Sequence, residues 1–205
     1  MIRHALAFLH LVGAPAHLAA QDIQQHGRHT KIEMVKRFEL RGDARAAFRQ
    51  FKRKSDYFGA IYINRPERHA GAHANANSLW LAEAYAQTLC HKQSRNPDYC
   101  VLYARSVPKD YDRTAFGVTL SHAANKDFRE YKKLQNKKRS GAFAVADNGA
   151  IGYSWAEPSS LVAREQALHR CTKASVKLLR EAPQDLLPLL SSPARQTCHI
   201  VHTSN

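Results

Sequence analysis

Four cysteines could form covalent links, and their positions favour two disulfide bonds. Cys90, Cys100, Cys171 and Cys198 include no Cys-x-x-Cys pair, which excludes the patterns of a zinc ribbon and of a thioredoxin-like redox site. Cys90 and Cys171 each end a predicted helix, and Cys100 and Cys198 each open a predicted strand. Because this order occurs twice, we predict bridges Cys90–Cys100 and Cys171–Cys198, each worth roughly 2–4 kcal/mol. The alternative is four buried thiols in a cytosolic protein.

Histidines and one serine are the other candidates for chemistry, and their spacing argues against it. His69 and His73 lie among glycine and alanine after a proline rather than on a helix, and His199 and His202, three apart on a predicted strand, point to opposite sides. Ser154 lies on a predicted hairpin with no assigned base. No Gly-x-Ser-x-Gly elbow, phosphate-binding glycine loop or His-Glu-x-x-His helix occurs. We therefore predict no catalytic residue, no metal site and no cofactor.

The chain carries a large positive charge. Lysine and arginine total 31 against 17 aspartate and glutamate residues, which gives a formal net charge of +14. Such a surface attracts polyanions, including nucleic acid, anionic lipid, lipopolysaccharide and acidic proteins. The alternative is that the charge serves only solubility.

Two sets of basic side chains occupy corresponding helix ends in the two halves of the chain. They are Arg49, Lys52, Arg53 and Lys54 in the first half, and Arg129, Lys132, Lys133, Lys137, Lys138 and Arg139 in the second. Two such patches could clamp an extended polyanion through salt-sensitive contacts. Stacking aromatic residues are not interleaved with the lysines, so a module that reads nucleic-acid sequence is not indicated. The alternative is two solvated helix faces.

The elements that position these residues follow one order in both halves. Alternating and amphipathic patterns predict, in the first half, a strand at 31–38, a helix at 43–54, a strand at 57–63, a weak return strand at 70–76, a helix from the Ser78 cap to Cys90 and a strand at 99–107. In the second half they predict a strand at 116–120, a helix capped by Ser121, a hairpin around Asn148-Gly149, a helix from Ser159-Ser160 to Cys171 and a strand at 198–203. Asn148-Gly149 favours a type I′ turn, with positive φ at both residues.

Matching residues indicate that the second half is a copy of the first. The matched positions, about eighty residues apart, are Phe48 and Phe128, Gly59-Ala60 and Gly141-Ala142, Ala82 and Ala163, Ala86 and Ala167, and Cys90 and Cys171. Each half reads β-α-β-β-α-β, the split βαβ or ferredoxin-like order.

We therefore predict an α+β fold of two tandem ferredoxin-like repeats, packed into one compact, disulfide-stabilised body. The first repeat covers 30–109 and the second covers 110–205, with an insertion at 172–197 of one or two helical turns followed by a loop. A sheet of this kind carries its helices on one face, so the other face must pack against the sister repeat or bind a partner.

Residues 1–20 have the order of a secretory signal peptide. Arg3 and His4 precede an apolar run at 5–12, and small residues follow at 14–16 and 19–20. The apolar run is too short to span a bilayer. We predict removal of this leader, no stable membrane span afterwards and a periplasmic or secreted protein. The alternative is an N-terminal helix that stays attached.

Several segments together resemble a group of uncharacterised secreted proteins of alphaproteobacteria. The segments are the leader, Tyr57-Phe58-Gly59-Ala60-Ile61, Cys90 to Cys100 with Val101, Val107 to Asp112, Thr119-Leu120-Ser121, Phe128 to Tyr131, Gly141 to Val145 and Gly149 to Tyr153. The resemblance covers most of 30–171, and the chain departs from the group in its insertion before Cys198 and its high charge. Members are often labelled 5-aminolevulinate synthase, which implies a large pyridoxal-phosphate fold with a Schiff-base lysine. The group has no established catalytic residues, so the resemblance assigns none here.

Together these features predict an exported, disulfide-stabilised binding or interaction protein of the bacterial envelope. Its basic patches would meet an anionic partner: a polyanion, an envelope component or an acidic protein. The alternatives are an enzyme, with the synthase label as its specific form, and an inhibitor or immunity-type protein. The sequence does not indicate an oligomeric state.

Overall fold

The computed structural model describes residues 22–135 and 138–204. The signal peptide predicted at 1–20 lies outside these residues. The described chain is a mixed α/β protein with two units, residues 30–108 and residues 118–204. A short strand, β1 (Ile23–Gln24), precedes the first unit.

Both units follow the predicted order of strand, helix, strand, strand, helix, strand. The first contains β2 (Thr30–Met34), α1 (Gly42–Lys54), β3 (Phe58–Asn64), β4 (His69–Ala76), α2 (Leu79–Gln93) and, after a 3₁₀ turn at Pro97–Tyr99, β5 (Cys100–Pro108). The second contains β6 (Val118–Thr119), α3 (His122–Lys133), β7 (Ser140–Val145), β8 (Ile151–Glu157), α4 (Ser160–Glu181), a 3₁₀ turn at Gln184–Leu186, α5 (Leu187–Leu190), α6 (Pro193–Gln196) and β9 (His199–Ser204).

Three of the helices begin at serine caps, as their sequences indicate. The side chains of Ser78, Ser121 and Ser159 accept hydrogen bonds from the backbone amides of Leu81, Ala124 and Val162. Each serine satisfies one of the amides that the first helical turn leaves without a partner.

Each unit has its own antiparallel sheet, with strand order β2-β5-β3-β4 in the first and β8-β7-β9 in the second. A ferredoxin-like sheet places the first and third strands of the unit at its centre, whereas here the fourth and second strands, β5 and β3, hold the centre. In the second unit the two-residue strand β6 leaves the sheet and pairs in parallel with β1. The predicted α+β content is confirmed, but the ferredoxin-like strand order is corrected, because element order does not fix strand order.

The two helices of each unit lie on opposite faces of its sheet, not on one face as predicted. Along β3, Ala60 joins the apolar cluster under α2, whereas Ile61 joins the cluster under α1. Along β7, Ala142 packs with α4 and Phe143 with α3. Successive side chains of a strand point to opposite faces. Because both faces are apolar here, each needs a helix to cover it.

Both predicted disulfide bonds are present. Cys90–Cys100 joins α2 to β5, and Cys171–Cys198 joins α4 to the residue before β9. The Cα atoms are 6.1 Å apart in each bridge. No cysteine of the described chain is left as a free thiol.

Glycine allows α2 and α4 to lie directly against the strands beneath them. A Cβ atom on Gly71 of β4 would overlap the backbone of Ala86 and Cys90 in α2, and Gly152 of β8 has the same relation to α4. The helix backbones therefore approach the sheets more closely than any other residue would permit.

The sheets of the two units are also irregular at matching places. Strand register shifts between Phe58 and Ala60 and between Ile61 and Tyr62 in the first unit, and between Ser140 and Ala142 and between Phe143 and Ala144 in the second. Near the first of these shifts, Asn75 and Ala156 have φ of 65° and 59°. The units thus share β-bulges as well as element order.

The turn between β7 and β8 is not the predicted type I′ turn. Gly149 has a φ of 99°, but Asn148 does not have positive φ, and the Gly149 amide donates to the Ala146 carbonyl at 2.9 Å. This is a type I turn followed by a left-handed glycine. Tertiary contacts engage Asn148 instead: its backbone amide donates to the Arg195 carbonyl, and its Nδ2 donates to Ser175 Oγ.

The insertion before Cys198 contains more helix than the predicted one or two turns followed by a loop. It also packs against the first unit. Helix α4 continues to Glu181, and Leu186 and Leu190 then pack into the cluster that α2 forms in the first unit. The Arg195 guanidinium lies 4.3 Å from the centre of the Trp80 ring at the start of α2. Apolar burial and a cation–π contact thus fasten the second unit to the first.

A second contact between the units centres on Tyr57, which is fully buried and has a φ of 51°. Its hydroxyl donates to the His26 carbonyl at 2.8 Å, and its ring stacks on His122 with 4.9 Å between ring centres. Nδ1 of His122 lies 2.9 Å from a carboxylate oxygen of Asp56. These contacts hold a bulky residue in a strained conformation and join the N-terminal segment, the end of α1 and the start of α3.

Candidate anion-binding surface

Helix α1 presents basic side chains to solvent because its apolar residues are spaced to cover the sheet. Ala44 and Phe51 are buried against β3 and its neighbours. Arg45, Arg49 and Lys52 follow one another at intervals of four and three residues, so they lie along one exposed side of the helix.

Two neighbouring cavities flank this side of α1. The larger, of about 440 Å³, lies at the start of the helix, and the smaller, of about 350 Å³, lies along it; Glu39 and Leu40 line both. The cations that line them are Arg41, Arg65 and Arg68 in the larger and Arg45, Arg49 and Lys52 in the smaller. We call these six cations together with Glu39 the α1 basic surface.

The turn between β3 and β4 brings two of these arginines to the start of α1. The Arg68 carbonyl accepts the Ala44 amide at 2.9 Å. The Arg65 guanidinium lies 5.5 Å from the centre of the Phe38 ring, a cation–π distance. The hydrogen bond to Ala44 holds the turn against the start of α1. The side chains of Arg65 and Arg68 both line the larger cavity.

A single carboxylate lines the α1 basic surface. Glu39 pairs with Arg41 at 3.0 Å. The hydrogen bond and charge of Arg41, followed by the charges of Arg45 and Arg65, lower the pKa of Glu39. Exposed pairs of this kind contribute little to stability, so a multivalent anion can compete with Glu39 for Arg41.

The predicted basic residues fall into several places. Arg49 and Lys52 belong to the α1 basic surface, Arg53 is exposed at the end of α1, and Lys54 lines another cavity, of about 240 Å³. The second set comprises Arg129, Lys132 and Lys133 on α3, Lys138 and Arg139 before β7, and Lys137, which lies outside the described residues.

The two predicted patches lie on different helices. The end of α1 meets the start of α3 through Asp56 and His122, whereas Lys132 and Lys133 follow about 15 Å farther along α3 at 1.5 Å per residue. Nζ of Lys132 lies 3.3 Å from Nε2 of His202 on β9. Arg49 and Lys52 of the first patch line the smaller cavity along α1, and Lys132 of the second patch lines a different cavity beside β9.

Sequence reasoning did not assign Arg41, Arg45, Arg65 and Arg68 to the surface. Arg65 and Arg68 reach α1 only through the folding of the β3–β4 turn, which no local pattern reveals. Arg45 could have been assigned from the sequence, because it precedes Arg49 by four residues on the same polar face of the predicted helix.

Neither histidine pair belongs to a cluster suited to a metal ion. Across residues 22–135 and 138–204, no three histidine, cysteine or acidic side chains are placed to hold one. His73 stacks on Tyr85 with 4.2 Å between ring centres, and Nδ1 of His202 lies 3.0 Å from the Tyr131 hydroxyl. The His73 ring is thus a packing group between β4 and α2, and the His202 ring also takes part in a hydrogen bond with α3.

We expect the free energy of unfolding to fall as the pH drops below about 6.5. Burial lowers the pKa of His26, His73 and His202 from the ordinary value of 6.5; Asp110 opposes the shift at His26, and Lys132 adds to it at His202. In this range the unfolded chain therefore binds more protons than the folded chain. The histidine contribution is present above pH 6.5 and is lost as the pH falls through the lower folded-state pKa values.

Urea unfolding at neutral pH and at about pH 6 and 5 measures this dependence. The variant His73→Phe keeps a ring against Tyr85 but cannot be protonated, so it should show a shallower pH dependence than the original chain. An unchanged dependence in the variant would contradict a role for His73.

Comparison with known proteins gives no match: no protein-family model, no curated protein and no solved structure is similar to this chain. None of the helices formed by the described residues is both long enough and apolar enough to cross a bilayer. The fold and the surface together define a mixed α/β protein with two disulfide bonds and the α1 basic surface.

Proposed function

We propose that this protein is a binding protein of the bacterial envelope that holds an extended polyanion along the α1 basic surface. The observation that carries the proposal is the lining of the two adjoining cavities, which contains six cations and one carboxylate. Five of the six cations are arginines, whose planar guanidinium groups bind phosphate and carboxylate through paired hydrogen bonds. The preferred ligand therefore carries phosphate or carboxylate groups in series.

The length of the surface supports a chain-like ligand rather than a single ion. Helix α1 has 13 residues and is about 20 Å long at 1.5 Å per residue. Several anionic groups can therefore contact it at once. Each contact displaces a counterion from the ligand, so binding weakens as salt is added.

Export from the cytoplasm is part of the proposal. Disulfide bonds persist in oxidising compartments such as the periplasm and the extracellular medium, and both bridges of this chain support such a location. Residues 1–20 would be the signal that directs it there. We also infer that the two units arose by duplication, an inference supported by their shared element order, their matching β-bulges and the equivalent positions of Gly71 and Gly152.

We expect the double substitution of Arg49→Glu and Lys52→Glu to weaken the binding of labelled polyphosphate by about tenfold or more at moderate salt. The plot of log affinity against log salt concentration should become less steep by about 1.5 to 2, because two phosphate contacts are lost. Fluorescence anisotropy across a salt series measures both quantities.

The matched control is Lys173→Glu with Lys177→Glu on α4, which changes the net charge equally at exposed positions away from α1. This variant should bind polyphosphate nearly as the original chain does. If it loses as much affinity as the α1 variant, binding follows net charge alone and the proposed surface is wrong. Absence of salt-sensitive binding by the original chain would also reject the proposal.

A further inference from the structure

A groove between α1 and the outer strand of the first sheet lies apart from the α1 basic surface. Its cavity, of about 240 Å³, contains no residue of that surface. Its walls are formed by two residues of β4 and by four residues of α1: Ala72, Ala74, Ala47, Gln50, Phe51 and Lys54. We call this feature the β4 groove.

Strand β4 is the outer strand of its sheet, so one of its edges is open. Within the described residues it pairs only with β3. Every second residue of such an edge directs its backbone amide and carbonyl away from the sheet, where they can pair with an added strand. Proline and lysine, which often protect the edges of sheets, do not occur in β4.

The two units differ in the side chains that their outer strands turn toward the first helix. Gly71 of β4 and Gly152 of β8 hold equivalent places against α2 and α4. The residues that follow each glycine by one and by three positions point to the opposite face, toward α1 or α3. The equivalent pairs on that face are Ala72 with Tyr153 and Ala74 with Trp155.

In the second unit the Tyr153 ring fills the space between the outer strand and the helix. Its centre lies 6.1 Å from that of the Tyr131 ring of α3 and 5.6 Å from that of the Phe143 ring of β7. In the first unit Ala72 and Phe51 take the places of Tyr153 and Tyr131, and a cavity lies beside them. A cavity of roughly 150 Å³ is enough to hold a benzene ring, so the β4 groove can hold an aromatic side chain.

The charge at the β4 groove favours an acidic ligand. Among the residues that line the cavity, Lys54 is exposed and no side chain is a carboxylate. The carboxylate nearest to Lys54 along the chain, that of Asp56, is engaged by His122 at 2.9 Å. Complementary charges steer association and select between partners, and the net charge of +14 acts in the same direction.

We propose that the β4 groove binds an extended acidic segment of another protein. The segment adds a strand to the open edge of β4 through backbone hydrogen bonds and places an aromatic side chain in the cavity, while acidic residues beside that side chain meet Lys54. Strand addition obtains affinity from the backbone and specificity from pockets for alternate side chains. The inference does not depend on the α1 basic surface, whose residues it does not use.

The test uses the labelled peptide Thr-Glu-Thr-Tyr-Thr-Glu-Thr, in which the tyrosine and both glutamates point to one face of an added strand. Fluorescence anisotropy with the full chain should show saturable binding. Exchange of the tyrosine for alanine should weaken binding by about tenfold or more, because the burial of the ring is lost. Proline at both the third and the sixth position should abolish binding, because at least one amide that faces β4 is then missing.

The variant Ala72→Tyr tests the groove from the protein side. The new ring takes the place that Tyr153 has in the second unit and fills the cavity, so the peptide should no longer bind. The matched control is Ala194→Tyr, which adds the same ring at an exposed position of α6 outside the groove. This control and the double variant Arg49→Glu with Lys52→Glu should bind the peptide nearly as the original chain does.

Hydrogen exchange locates the bound peptide, because an added strand should slow the exchange of the outward-facing amides of β4. If Ala72→Tyr fails to fold by circular dichroism, this protection and the peptide series decide the question. The proposal is overturned if the tyrosine peptide does not bind or leaves β4 unprotected, or if the alanine or proline peptide binds equally well. It is also overturned if folded Ala72→Tyr retains binding, if either control variant loses it, or if size-exclusion chromatography shows a dimer that Ala72→Tyr disrupts, because a second copy would then occupy the groove.

Discussion

Gly152→Ala is expected to destabilise the protein by at least about 3 kcal/mol. The new Cβ atom would overlap the backbone nitrogen of Cys171 and the carbonyl oxygen of Ala167. Both are backbone atoms of α4, so no flexible side chain can move aside. The whole helix would have to shift away from β8 and open the cluster of small residues between them.

Urea unfolding of the purified variant measures this effect, and a second glycine provides the control. A Cβ atom on Gly27 would meet only Asp110 Oδ2, at 3.7 Å, which is an ordinary contact. Gly27→Ala should therefore stay within about 0.5 kcal/mol of the original chain. Gly71→Ala, whose Cβ would overlap α2, should resemble Gly152→Ala. A stable Gly152→Ala variant would show that α4 does not lie this close to β8.

Removing the Cys171–Cys198 bridge is expected to destabilise the chain more than removing Cys90–Cys100. The bridges close loops with sequence separations of 27 and 10 residues. In the chain-entropy model these loops correspond to about 3.5 and about 2.7 kcal/mol of stability at room temperature. We therefore expect Cys171→Ala with Cys198→Ala to unfold at lower urea than Cys90→Ala with Cys100→Ala.

The structure adds a second reason for this order. The longer loop contains Leu186 and Leu190, which pack against α2 of the first unit, and its release frees the segment that joins the units. Equilibrium unfolding of both paired variants, at one protein concentration and one pH, gives the comparison. If the Cys90–Cys100 pair proves the more destabilising to lose, neither loop length nor the joining segment governs the contribution of these bridges.

Local patterns predicted the elements and the bridges because their causes lie within a few residues. Ser78 and Ser121 each precede an amphipathic run, and serine is favoured as an N-cap at such a position. The placement of each cysteine at a helix end or strand start was enough to pair the four. The strand order had no local cause: nothing in the residues of β5 shows that it enters between β2 and β3. Likewise, the apolar pattern of β3 is compatible with helices on one face or on both.

The residues of the candidate surface likewise include some that local spacing predicts and some that only the fold brings together. Helical spacing alone placed Arg49 and Lys52 on a common exposed face, but Arg65 and Arg68 join them through a turn that folds back onto α1. The contact between Trp80 and Arg195 joins residues that are more than a hundred positions apart along the chain. No hydrophobic periodicity or residue spacing in the sequence predicts that these two residues lie close together.

The packing of Leu186 and Leu190 against α2 also bears on how the molecule is made. A chain that is synthesised from its N-terminus completes residues 30–108 before these leucines emerge. Until then the outer side of α2 stays open to water and to other chains. Residues 30–108 alone therefore leave part of the apolar surface of α2 uncovered. We expect the two units to complete folding together, in one cooperative step, once the segment with Leu186 and Leu190 has packed against α2.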